Sequence, residues 1–224
     1  MKTSEPLASK IRPKTLEEFT GQEHLVGVGN LSKGLEAGPL NIAIKQKHLF
    51  SFILWGPPGS GKTTLAKIYA NSLNAKIYEL SAVSAGKDDI KKILKDNLFS
   101  SPGSPKVLFL DEIHRFNKSQ QDFLLPYVER GEITLIGATT ENPSFEVIPA
   151  LLSRCRVFVL NELTEKNMSA IIKRTGLKID KKAEDWLINM ANGDARQALT
   201  MLEHTNELYK KITIENLKNA LQSK

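Results

Sequence analysis

The run Leu54-Trp55-Gly56-Pro57-Pro58-Gly59-Ser60-Gly61-Lys62-Thr63-Thr64 constrains this chain more than any other feature, because it fits G-x-x-x-x-G-K-[ST] between an apolar stretch and a helical pattern. Phe50, Ile53, Leu54 and Trp55 read as a buried strand, and Leu65, Ala66, Ile68 and Tyr69 recur at helical spacing after the loop. A strand, a glycine loop and a helix in that order make a phosphate-binding loop. Gly59 and Gly61 leave room for backbone N–H groups to point at phosphate oxygens, and the helix starting near Lys62 adds the positive end of its dipole. Gly56, Pro57, Pro58, Gly59, Ser60, Gly61, Lys62, Thr63 and Thr64 are therefore expected to cradle a nucleotide. Lys62 reaches the β and γ phosphates as a point charge, and the Thr63 hydroxyl ligates Mg²⁺.

Apolar, β-rich runs recur at 50–55, 76–80, 107–110, 133–138 and 157–160, separated by stretches of helical periodicity. That alternation predicts an α/β fold, a parallel sheet covered on both faces by helices. After Leu160 the strand signals stop. Ala183, Trp186, Leu187 and Met190 fall at i, i+3, i+4, i+7, as do Ala195, Ala198, Leu199 and Leu202, and Ile214, Leu217 and Leu221 continue the style. Residues 1–161 thus read as the nucleotide-binding α/β domain and 162–224 as a small helical domain. The two join near 161–164, with Thr164 as a helix N-cap. Ser100-Ser101-Pro102-Gly103-Ser104-Pro105 reads as an exposed loop before the third strand.

With 224 residues the chain has room for one or two domains and a real core. A net charge of +6 points to a polyanion, nucleic acid first, although much of the excess lies in pairs such as Lys91-Lys92, Lys181-Lys182 and Lys210-Lys211 that suit solvated helix faces. A single cysteine, Cys155, excludes an intramolecular disulfide and suits a reducing compartment. No stretch approaches a membrane span, and Met1-Lys2-Thr3-Ser4-Glu5 has no apolar core of a signal peptide, so a cytoplasmic protein is expected. His24, His48, His114 and His204 show no metal-ligand spacing.

A phosphate loop alone does not say what happens to the nucleotide. Val107-Leu108-Phe109-Leu110-Asp111-Glu112 ends a buried strand on two acids, at the strand end where such sheets bind ligands. Asp111 is placed to hold Mg²⁺ through water, and Glu112 to orient and polarise the attacking water. The run at 133–138 leads into Thr139-Thr140-Glu141-Asn142, where Thr140, or less favourably Asn142, stands to contact the γ-phosphate or the water. Arg154 and Arg196 follow in polar contexts. His114 is placed to touch the site, to lie at the surface or to pack. Asn117, Lys118 and Gln121 either face DNA or form a solvated helix face. Phe116 and Phe145 are candidates for base stacking, with core packing expected for one or both.

GPPGSGKTT, LFLDEIH, GATTENPSF, SRC and GDARQAL, in this order, resemble the AAA+ ATPases of the clamp-loader branch. Ile11-Arg12-Pro13-Lys14-Thr15-Leu16, Gly21-Gln22-Glu23-His24-Leu25 and the run 111–122 resemble, more closely, the replication-associated recombination protein A family, relatives of the eukaryotic Werner-helicase-interacting ATPase. The match runs from Pro6 to about Leu202. It implies a five-stranded parallel sheet followed by a helical lid, with ATP and Mg²⁺ in the cleft between them. By the resemblance Arg12 and Pro13 line the adenine pocket, Thr140 is sensor 1, Arg196 is the sensor 2 arginine, and Arg154 is the finger that reaches a neighbouring subunit's ATP. Such fingers are worth about 10³ to 10⁵ in rate. Cys155 beside it reads as a packing residue.

The resemblance further implies action on single-stranded or forked DNA at stalled or recombining replication forks, with single-strand-binding protein as a possible partner. A clamp-loader subunit or a Holliday-junction branch-migration motor would use the same chemistry. A non-hydrolysing nucleotide-dependent scaffold is the reading from another class, and Glu112 and Arg154 argue against it. Members of the family continue past the lid into an oligomerising domain, whereas this chain stops at Lys224. It is therefore expected to be an N-terminal fragment rather than an unusually short member, monomeric by itself and a homo-oligomer at full length.

Overall fold

The structure, a computed structural model, describes residues 5–27, 37–96 and 105–222. Five strands, β1 (Phe52–Trp55), β2 (Lys76–Ser81), β3 (Lys106–Asp111), β4 (Thr134–Thr139) and β5 (Arg156–Val159), pair in parallel in the order β2-β3-β4-β1-β5. Each expected strand is present within about two residues of its sequence bounds. Most of the expected loop, 100–104, lies outside the described residues.

Helices α1 (Leu7–Lys10), α2 (Glu23–Val26), α3 (Pro39–Lys45) and α4 (Lys62–Ser72) precede β2. Between β2 and β5 come α5 (Lys87–Lys95), α6 (Lys118–Glu129), α7 (Pro143–Glu146) and α8 (Pro149–Leu152), with a 3₁₀ turn at Ile113–Arg115. The period of two in each strand sorts its side chains into two cores. Phe52, Leu54, Val107, Phe109, Ile136 and Ala138 pack with α2, α3 and α4, while Ile53, Leu108, Leu110 and Leu135 pack with α5, α6 and α8. Tyr69 of α4 meets Phe52 edge-on with ring centroids 5.1 Å apart and donates its hydroxyl to the His48 carbonyl at 2.7 Å.

After β5 the chain forms α9 (Glu165–Arg174), α10 (Lys181–Ala191), α11 (Ala195–Tyr209) and α12 (Ile214–Gln222). Thr164 caps α9 as expected, accepting from the Asn167 N–H at 3.3 Å. Ala183, Leu187, Ala198, Leu199, Leu202 and Leu217 build a third core there. Met190 does not join it: at the C-terminal end of its stripe it remains 46% exposed. The N-terminal segment packs on these helices too. Leu7, Ala8 and Ile11 lie against the third core, and the Leu7 N–H donates to Glu203 Oε1 of α11 at 2.8 Å.

Candidate nucleotide-binding site

The loop after β1 is built on backbone conformations that a side chain would resist. Gly59 and Gly61 have φ of +68° and +101°, and Gly61 is the N-cap of α4. Lys62, the first residue of that helix, is buried, and its Nζ donates to the Gly56 carbonyl at 2.8 Å and the Pro57 carbonyl at 2.9 Å. Desolvation pulls its pKa below the ordinary lysine value. Glu112 and then Asp111 oppose that shift, and the Arg196 guanidinium adds to it. Among the described residues no carboxylate stands within salt-bridge reach of Lys62, so this ammonium is held by carbonyl dipoles and is suited to an incoming anion.

Sheet order decides which strand ends meet the loop. β4 lies between β1 and β3, so Thr140 stands between the phosphate loop and the Asp111–Glu112 pair, and all three line one cleft. Glu112 is held in the left-handed region at φ 55°. Its Oε2 lies 3.3 Å from His114 Nδ1, which is also 2.9 Å from the hydroxyl of Thr139. His114 thus packs, with a side chain only 9% exposed, while touching Glu112 of the cleft from behind. Asn142 does not serve as the alternative to Thr140, because its side chain caps α7 by accepting from the Ser144 N–H at 3.0 Å.

The opposite wall comes from the helices and the N-terminal segment. Arg196 and Leu199 of α11, Ile171 and Arg174 of α9, and Arg12, Pro13, Phe19 and Thr20 face the loop residues Pro58 to Thr64 across the cleft. Contact between the walls is close. A Cβ at Gly59 would lie 2.0 Å from Asp194 Oδ1, where Asp194 caps α11, and a Cβ at Gly61 would lie 2.8 Å from the Phe19 ring. Arg174 fixes the N-terminal segment by donating to the Glu18 carbonyl at 2.5 Å and the Thr20 hydroxyl at 2.9 Å. Gln22, only 4% exposed, donates to the Asn161 carbonyl at 2.7 Å and accepts from the Asn161 N–H at 2.9 Å. Phe19, Thr20 and Arg174 were missed by sequence reasoning. They belong to no short motif, and no local pattern in the sequence pointed toward them.

Arg12, Pro13, Lys62, Thr63, Thr64, Asp111, Glu112, Thr140 and Arg196 are thus brought together, with Gly56 and Pro57 behind them holding the lysine. Arg154 is not. It precedes β5, whose first residue Arg156 is in register with Phe52, so it lies at the end of the sheet opposite the phosphate loop. Its Nη1 donates to the Ala150 carbonyl at 2.6 Å and to Ser153 Oγ at 3.0 Å, and its Nη2 pairs with Glu129 of α6. Next to it, burial pushes the Cys155 thiol up to about 12, in keeping with a packing residue. Gln121 neither faces DNA nor forms a solvated face. It is 1% exposed and bonds the carbonyls of Phe116 and Glu146 and the N–H of Ile148. Phe116 is core at 2%, whereas Phe145 is 85% exposed.

A glycine loop between β1 and α4, acids closing the third strand, and a parallel sheet that sets Thr140 between them define a P-loop nucleoside triphosphatase. The chain belongs to the ATPase family associated with various cellular activities (AAA), whose model matches residues 52–163. Its resemblance to replication-associated recombination protein A is also met. The protein of that name from Coxiella burnetii is 47% identical over 88% of this chain and 46% of its own length, and that from Escherichia coli K12 is 42% identical over 90% and 46%. ATPase WRNIP1 of Dictyostelium discoideum is 46% identical over 90% of this chain and 23% of its own length. Among solved structures, the Thermotoga maritima RuvB Holliday junction branch migration motor superposes with a TM-score of 0.72 at 29% identity, over 95% of this chain and 72% of that one. The chain spans about half the length of the recombination proteins it matches. Among the described residues no helix is long and apolar enough to cross a membrane.

Proposed function

We propose that this chain is the ATP-hydrolysing module of a cytoplasmic protein that acts on DNA at stalled or recombining replication forks. The observation that carries the reading is the convergence of Lys62 of α4, Asp111 and Glu112 at the end of β3, Thr140 just after β4 and Arg196 of α11 on a single cleft. Lys62 and the loop N–H groups bind the β and γ phosphates, and Arg12 and Pro13 meet the base. Glu112 accepts a hydrogen bond from the attacking water and draws off its proton, while Thr140 and Arg196 fix the γ-phosphate. Bound Mg²⁺ would neutralise phosphate charge. Thr63 and Asp111 would hold it, with water and phosphate oxygens completing the shell.

Residues 1–161 act as the base and 162–224 as the lid, hinged near 161–164. Because α1 packs on α11, α1 travels with the lid, while Leu16, Phe19 and α2 stay packed on the base. Arg154, far from its own cleft, serves the ATP of a second copy in a homo-oligomer. Single-stranded or forked DNA is the substrate, with single-strand-binding protein nearby. A branch-migration motor is the second reading, favoured by the likeness to RuvB; at 29% identity that likeness is weaker than the 42–47% shared with the recombination proteins.

Calorimetry and turnover on Lys62→Ala and Glu112→Gln, with and without forked DNA, test the reading. Lys62→Ala should weaken ATP binding by about 1.5–3 kcal/mol, the worth of a charge-assisted contact. Glu112→Gln should bind normally and turn over at least 10²-fold more slowly, the scale of a lost general base. An unchanged dissociation constant in the first variant, or equal losses of affinity and turnover in the second, would overturn the assigned roles. Turnover indifferent to DNA would overturn the proposed substrate.

A further inference from the structure

We propose that Glu129 is a positioning residue for the Arg154 finger, holding it ready for the neighbouring subunit. This rests on the reading that Arg154 acts in trans. Arg154 and Glu129 are each 40% exposed, so the pair lies on an accessible face. Two of the guanidinium's three contacts, the Ala150 carbonyl and Ser153 Oγ, come from its own turn of chain. The third comes from Glu129, the last residue of α6, which is anchored in the second core through Leu124.

An arginine loses much rotamer freedom when it is fixed. Three acceptors therefore make up that loss before a phosphate arrives. Nη1 makes two hydrogen bonds and Nη2 one ion pair, so of the guanidinium's five N–H groups some remain to meet an anion.

Turnover per subunit is measured across a wide range of protein concentration for the parent chain, Glu129→Ala, Glu129→Gln, Arg154→Ala and the double variant Glu129→Ala/Arg154→Ala, with ATP affinity by calorimetry. Where parent turnover rises with concentration, Glu129→Ala should lower it about fivefold at unchanged affinity, the size of one exposed ion pair lost from the transition state. Glu129→Gln, which keeps an acceptor, should fall between parent and Glu129→Ala. In the Arg154→Ala background Glu129→Ala should change nothing. Turnover equal to or above the parent in Glu129→Ala, or the same loss with Arg154 already removed, overturns the proposal. Turnover flat with concentration and indifferent to Arg154→Ala overturns the trans reading itself, a different result.

Discussion

Gly59→Ala tests the contact that joins the phosphate loop to the helical wall. The new methyl has to adopt a positive φ of 68°, which costs a side-chain-bearing residue roughly 1–2 kcal/mol. It would also lie 2.0 Å from Asp194 Oδ1, 2.5 Å from Asp194 Cγ and 2.8 Å from the Ala195 nitrogen, far inside contact distance. Asp194 cannot both move aside and keep accepting from the Gln197 N–H at 3.0 Å, so the N-cap of α11 is strained or lost. A lost cap adds about 1 kcal/mol. The expected cost is therefore about 2–3 kcal/mol, or roughly 4–12 °C in midpoint for a chain of this size. Thermal unfolding of Gly59→Ala, Asp194→Ala and the double variant reads the mechanism directly. If the methyl acts by displacing the carboxylate, the double variant should cost about 1 kcal/mol less than the sum of the singles, because the cap is then counted once. ATP affinity should also fall in Gly59→Ala, since Arg196 follows Asp194 on the same turn. Additive costs within ~0.5 kcal/mol would show that the loop and α11 do not touch as described.

Gln22→Glu should destabilise the chain by about 2–3 kcal/mol in denaturant, because it replaces the donor to the Asn161 carbonyl with a buried carboxylate oxygen; a midpoint within ~0.5 kcal/mol of the parent would sink the clamp. Cys155 gives an alkaline signature. Burial raises its folded pKa to about 12, above the ordinary thiol value of 9.0, so the folded state keeps a proton that the unfolded chain releases; the contribution is intact below pH 9 and is lost as pH rises toward 12. Between pH 8 and pH 10 the parent should lose about 1 kcal/mol more than Cys155→Ala. The same pH dependence in both would remove burial as the cause.

What the sequence made legible was carried by short-range pattern. Leu65, Ala66, Ile68 and Tyr69 are each no more than 1% exposed because a period of 3.6 requires one face of α4 to meet the sheet, and that period is written in adjacent residues. The glycines of the phosphate loop announce their positive φ by residue type alone. Glu112 and Lys62 could be paired in advance because both motifs end parallel strands. The failures share a different cause. Gln121 occupies an exposed-looking register on a polar helix start, yet its amide satisfies backbone groups of Phe116, Glu146 and Ile148, and no local pattern encodes that demand. Gln22 and Asn161 are 139 residues apart, and their pairing exists only once β5 has turned back toward the loop. Arg174 with Glu18 and Arg154 with Glu129 are of the same kind. Phe116 meets the core packing expected for at least one of the two phenylalanines, whereas Phe145 stays out of the core: Asn142 caps α7 and Gln121 binds Glu146, and these two ties set the short helix so that its one large apolar side chain points outward. Burial of a single side chain in a four-residue helix is decided by how its ends are tied, and those ties are polar and distant in sequence.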